Sequence, residues 1–195
     1  LIKRKLKKGI SWTSSHPITG SEVSGPKNGN KNLFSKKWCI LIKEKNTSKK
    51  HLAILKKFWI KIGSKVSIMD PKKHDAIFSI TSHLPHLIAY NLVKTATDFE
   101  KQKKYDLIKF SAGGLRDFSR IAASNEIMWR DIFFNNESNM TKAIELFIKN
   151  LRIFKNNIKT QNNKSLIKKL IDTKKVRRKI LDLKHDINKP DFGRD

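Results

Sequence analysis

Strand signals in this chain stop at Asp70-Pro71, and that switch limits the fold more than any other feature. Before it, the run Trp38-Cys39-Ile40-Leu41-Ile42 is continuously apolar and of strand length, and the stretch 66–69 is a second strand candidate. Between them Leu52, Leu55, Phe58, Trp59 and Ile62 follow helical spacing, and Gly63 suits the left-handed residue that closes a helix. Strand, helix, strand in about 30 residues is a βαβ-like unit. A basic helix end over 3–8, stopped by Gly9, and a short strand over 10–14 ending at His16-Pro17 are expected upstream. The stretch 19–32 carries Gly20, Gly25, Pro26 and Gly29 and reads as a loop.

After the switch every signal is helical. Asp70 can cap a helix whose first turn holds Pro71. The segment 74–97 is apolar around most of its circumference, which predicts a central, buried helix kinked at Pro85. Gly113-Gly114 opens a further segment. Met140, Ile144, Phe147, Leu151, Phe154 and Ile158 step by four and three along an amphipathic helix. A basic helix over 165–183 follows, and the tail after His185 is expected to fray. The fold class is mainly α: an α/β portion over 1–70, an all-helical portion over 71–185 and a tail over 186–195.

A chain of 195 residues can hold one good core, or one domain and part of another. It contains no run of eighteen apolar residues that would read as a membrane span. Leu1-Ile2-Lys3-Arg4 leads into more lysines, not into the apolar region of a signal peptide. The opening is amphipathic from its first residue and reads as the continuation of something longer. Cys39 is the single cysteine, which excludes an internal disulfide framework and fits a reducing cytoplasm. The net charge of +26 raises a rival reading, a basic helical module that binds nucleic acid. The excess is mostly Lys, is scattered along the chain and lacks interleaved aromatic residues, so a lysine-rich surface accounts for it. Neither nucleic acid nor membrane is expected as a partner.

Chemistry-bearing residues crowd the stretch from His74 to Arg130. Polar groups on an apolar helical face are costly unless they have partners or a task. Ser82 and His86 lie one turn apart on one helical face, with His83 partly aside, and can meet a hydroxylated or anionic ligand. Two metal ligands at His83 and His86 are the alternative, and a satisfied core histidine is the plain one. No acidic or cysteine ligand clusters beside them, so no metal is expected. Arg116 and Arg120 stand four apart with Asp117 between them. An arginine fork matches a carboxylate, whereas an Asp117–Arg120 surface pair would do little. Gly113-Gly114 permits close backbone approach or merely turns the chain. His16 lies where a strand leaves a sheet, the usual place for ligand sites in α/β folds, and titrates near neutrality as a general base should. No dinucleotide fingerprint or P-loop occurs; Pro26 stands where the P-loop lysine belongs.

Together the blocks H-P-I-T-G-S-E (16–22), L-F-S-K-K-W-C-I-L (33–41), S-H-L-P-H (82–86) and G-G-L-R-D-F-S-R-I-A-A-S-N-E-I-M-W-R-D-I (113–132) resemble the prephenate/arogenate (cyclohexadienyl) dehydrogenase family of tyrosine biosynthesis. The resemblance runs in order and spacing to about residue 160. It implies a Rossmann-type dinucleotide-binding domain, of which 1–70 would be the C-terminal remnant. It also implies an all-helical domain over 71–185 that binds substrate and forms a homodimer. The implied reaction is oxidative decarboxylation of prephenate or arogenate with NAD or NADP. By resemblance His16 is the base, Ser82, His86, Gly113 and a buried Arg120 meet the substrate, and Trp129 lies near the partner subunit's site. Glu22 and Asp117 resemble an ionic network around Arg120. The cofactor fingerprint falls outside the sequence, so the chain alone is expected to bind the dinucleotide poorly and to be inactive. The enzyme reading requires His16, His86 and Arg120 to converge.

Overall fold

In the computed structural model, residues 5–7, 10, 12–19, 25, 27 and 29–182 are described. Glu22, half of the helix expected at 3–8 and the tail after His185 lie outside them. Contacts divide the chain into two units, 1–143 and 144–195.

The first unit begins with three strands, β1 (Ser15–Pro17), β2 (Trp38–Ile42) and β3 (Lys65–Met69), in the order β1-β2-β3. β2 and β3 are parallel, with Leu41 opposite Ile68, and α1 (Lys49–Lys61) connects them as the βαβ pattern requires. Ser48 caps α1 by accepting from the His51 N–H at 3.3 Å. Gly63 closes it at φ +93°, and an added Cβ there would press on the Ser35 Cα at 3.3 Å. Cys39, Leu41 and Leu52 form the core of this layer, with Leu55, Trp59 and Val66 packed on it. Burial pushes the Cys39 thiol up to about 11, so it is an inert core residue.

The strand expected over 10–14 sits later in the chain. β1 pairs antiparallel with β2 through Ser15–Leu41, His16–Ile40 and Pro17–Cys39. Two backbone bonds bracket this pairing, from Ile42 N to the Ser14 carbonyl and from Ile18 N to the Trp38 carbonyl. Pro17 can join because its position makes no ladder bond to β2, and β1 is an edge strand of the sheet among the described residues. His16 is therefore a residue within the edge strand, not one beyond its end.

The helical part of this unit runs α2 (Pro71–Phe78), α3 (Leu84–Lys103), α4 (Gly113–Ser119), α5 (Glu126–Asn135) and the start of α6 (Glu137–Lys159). Asp70 caps α2 through the Lys73 N–H at 3.0 Å, with Pro71 in the first turn. The single buried helix expected over 74–97 is two helices joined by a π-helical turn, Ser79–His83. There the Leu84 N–H reaches back five residues to the Ser79 carbonyl. Pro85 lies in the first turn of α3, where it needs no donor, so the break falls before the proline and not at it. Burial is also narrower than expected: of this stretch only Phe78, Ser79 and Ala89 are fully buried. The Tyr90 hydroxyl ties α3 to the start of α5 by donating to the Ser124 carbonyl at 2.9 Å. Asn125 caps α5 through the Met128 N–H.

In the second unit, the rest of α6 turns into α7 (Asn163–Asp182). Gln161 takes φ +50° at the turn, Asn162 Oδ1 accepts from the Ser165 N–H, and Asn157 Nδ2 donates to Ser165 Oγ. On α6, Leu146, Leu151 and Ile158 are each at least half exposed. No described helix is long and apolar enough to cross a membrane.

Candidate active site

His16 on the edge strand and His74 on α2 meet directly: His16 Nδ1 lies 2.8 Å from His74 Nε2. His74 Nδ1 lies 2.8 Å from the Asp75 carboxylate. Both rings pack on Phe78, with centroids at 4.8 Å for His16 and 4.5 Å for His74. The i,i+4 spacing of His74 and Phe78 along α2 puts them on one face.

Beyond the π turn the same kind of packing continues. His86 stacks on Trp129 at 3.7 Å between centroids, and His83 meets the same indole edge-on at 6.2 Å. Trp129, carried by α5, is only 6% exposed. Asn136 links the two halves of the cluster. Its Nδ2 donates to the Asp75 carbonyl at 2.9 Å and to His83 Nδ1 at 3.2 Å, and its Oδ1 accepts from Asn139.

These partners fix the tautomers. A carbonyl can only accept, so His86 Nδ1 carries the proton that it donates to the Ser82 carbonyl at 2.9 Å. His83 Nδ1 accepts from an amide and so holds a lone pair. Burial lowers the pKa of His16, reinforced by His74 and His83. Burial also lowers that of His83, with His74 adding to it and Asp75 opposing it. His86 is lowered by burial against the opposing pull of its bond to Ser82. Three neutral imidazoles on one face, with the capacity to accept protons, are the chemical content of the cluster.

Most candidates from the sequence can be placed. His16, Ser82, His86 and Trp129 fall on this face, Ser82 through its carbonyl. Trp129 packs on the histidines of its own chain, a placement the expectation of a role at a partner's site did not include. Arg120 begins a 3₁₀ turn, Arg120–Ala123, that packs against α3 together with α4. Arg120 is exposed, which corrects the expectation of a buried arginine; taking a guanidinium out of water is costly, and the surface turn spares that cost. Asp117 is exposed on α4, 3.8 Å from Arg116 Nε. Gly113 is the first residue of α4, and a Cβ added to it would meet nothing within 4 Å. A surface hollow of about 800 Å3 opens at the α3–α4 connection, beside Tyr105, Phe110 and Leu115, and does not include the histidines.

Sequence reasoning passed over His74, Asp75, Phe78 and Asn136. The H-D pair at 74–75 gave a weak signal, being one turn from Phe78. Asn136 gave none, because its role depends on α5 returning to α2. No group of three metal-ligating side chains occurs among the described residues.

Two family models cover nearly the whole chain. Residues 70–172 match the prephenate dehydrogenase dimerization domain, and residues 2–68 match the prephenate dehydrogenase nucleotide-binding domain. The chain belongs to the prephenate dehydrogenase family. It is 33% identical over 173 residues to the cyclohexadienyl dehydrogenase of Zymomonas mobilis, covering 89% of this chain and 59% of that protein. A crystal structure of prephenate dehydrogenase from A. aeolicus, in complex with hydroxyphenyl propionate and NAD+, superposes with a TM-score of 0.82 at 41% identity. That match covers 86% of this chain and 58% of that one. The arogenate dehydrogenase of Synechocystis shares the fold, with a TM-score of 0.74 at 23% identity over 88% of this chain and 62% of its own. The chain thus spans somewhat over half the length of these prephenate dehydrogenase relatives.

Proposed function

We propose that this chain is the substrate-handling part of a dehydrogenase that oxidises and decarboxylates prephenate, or arogenate, in tyrosine biosynthesis. The observation that carries the reading is a half-buried, neutral His16 in contact with a second histidine, on a face shared with His86 and Trp129. Family membership and the ligands named for the A. aeolicus structure support it.

In this reading His16 accepts the proton of the ring hydroxyl as the ring carbon is oxidised. Imidazoles and an indole form an apolar, hydrogen-bonding wall for a six-membered ring, and Arg120 and the start of α4 receive a carboxylate. Loss of the ring carboxylate as carbon dioxide makes the ring aromatic, which drives the reaction. The protein's work is then orientation and proton removal. NAD or NADP would accept the hydride. The match of residues 2–68 to a nucleotide-binding domain supports that cofactor class, and since the sequence holds no glycine-rich pyrophosphate turn, no residue here is assigned to the pyrophosphate. The helical part would pair with a second copy, in keeping with the description of its family model and with the exposed apolar residues on α6. A cytoplasmic setting agrees with the reduced, buried Cys39.

The test is prephenate-dependent reduction of NAD+ or NADP+ by the gene product that carries this chain, beside calorimetric binding of hydroxyphenyl propionate. Turnover of either prephenate or arogenate supports the reading. Absence of both turnover and binding overturns it.

A further inference from the structure

We infer that His74 and Asp75 are positioning residues for His16, fixing which of its ring nitrogens is free to take a proton; this rests on the dehydrogenase reading above. The argument starts at the carboxylate. Ionised Asp75 can only accept, so the 2.8 Å contact to His74 Nδ1 places a proton on that nitrogen. In the Nδ1–H tautomer so assigned, His74 has a lone pair on Nε2. The 2.8 Å contact between His74 Nε2 and His16 Nδ1 needs one proton between two nitrogens, and it must come from His16. His16 is therefore held as the Nδ1–H tautomer, with its Nε2 lone pair free.

The arrangement is over-determined in the way a positioning device needs to be. Phe78 holds both imidazole rings from one side. Asn136 binds the carbonyl of Asp75, anchoring the helix turn that carries the carboxylate. His74 itself is only 18% exposed, so water competes poorly for its nitrogens. When His16 Nε2 takes the substrate's hydroxyl proton, the ring becomes an imidazolium whose Nδ1–H still points at His74. The new positive charge is shared across a short bond, and the Asp75 carboxylate lies one ring further on to offset it. The proton count balances: the hydroxyl loses one, His16 gains one, and His74 and Asp75 keep their own. The logic matches that by which a buried aspartate orients the histidine of a serine protease, with an extra imidazole interposed.

Ring-nitrogen NMR of the histidine-labelled protein reads the tautomers directly, and the chain contains only six histidines. In the unaltered protein, His16 is expected to show a protonated Nδ1 and an unprotonated Nε2. His74→Phe keeps a ring against Phe78 but removes the acceptor. It should release His16 into a tautomer mixture and lower kcat by about tenfold or more, with KM little changed. His74→Gln places an amide oxygen near the lost Nε2 and should recover part of both the tautomer and the rate. Finding His16 protonated on Nε2 in the unaltered protein overturns the inference, even if His74→Phe fails to fold. An unchanged His16 spectrum and kcat in His74→Phe also overturns it. The two readings separate at His16→Asn. If that variant turns over prephenate normally, the dehydrogenase assignment of His16 fails. If it is inactive while His74→Phe is normal, only the positioning role fails.

Discussion

On the histidine face, His16, His83 and His86 are half-buried, ring-packed and held neutral by loss of water. On α4 and the 3₁₀ turn after it, Arg116, Asp117 and Arg120 stand exposed. Both regions are assigned to one reaction, yet they follow opposite rules. A base must be empty to work, and desolvation empties an imidazole by penalising its charged form. A guanidinium must remain charged to hold a carboxylate, and burying it without a partner would cost several kcal/mol. The fold therefore buries the proposed base and its neighbouring imidazoles and exposes the proposed carboxylate clamp.

The largest effect that would test this contrast is at the base. His16→Asn should lower prephenate-dependent turnover by about 10²- to 10⁴-fold while the unfolding midpoint moves little; an active variant would remove the chemical reason for the face. Next comes the packing that dries it. Trp129→Ala should cost about 3–5 kcal/mol in urea unfolding, since the indole is buried and stacked on His86. Trp129→Phe should cost less. On the opposite side, Arg120→Ala should weaken hydroxyphenyl propionate by about 1.5–3 kcal/mol, the worth of a charge-assisted hydrogen bond. Its stability should change by no more than about 0.5 kcal/mol, as for other exposed sites. An equal loss of stability would mean the arginine is structural and would erase the contrast.

The smallest effect is on acid stability. The folded chain depresses the pKa of three histidines below the ordinary imidazole value of about 6.5, so the unfolded chain binds more protons in that range. Stability contributed by these groups is complete above that value and drains as pH falls through it toward the lowered folded values. Urea midpoints taken across this interval should fall with acid, and less so in His83→Gln. A midpoint that stays level would show the imidazoles to be wetter than the contacts indicate.

Local chemistry made much of the fold legible. The W-C-I-L-I strand, the Asp70 cap, the Gly63 stop and the amphipathic α6 each announce themselves within a few residues. The break before Pro85 was misplaced by a few residues. A π turn has no composition of its own, and the proline that marks the region merely opens the next helix. At the site, His16, His86 and Trp129 could be picked out because polar or aromatic groups in such blocks carry a resemblance. His74 and Asn136 could not, because one acts across strand and helix and the other across α5 and α2. Contacts of that range leave no spacing in the sequence.

The π turn also sets how this gene can change. One residue of an α-helix advances the chain by about 100° of rotation, and the π turn holds one residue more than regular winding needs. Loss of the codon for Ile80 or Thr81 would let the helix wind regularly and would remove no side chain named in the reaction. It would still turn everything from Leu84 onward by more than a quarter circle relative to His74, carrying His86 and Trp129 together away from the His16–His74 pair and breaking the bond from Asn136 to the Asp75 carbonyl. In this stretch substitutions are ordinary risks, whereas a one-residue deletion would dismantle the site while sparing every residue in it.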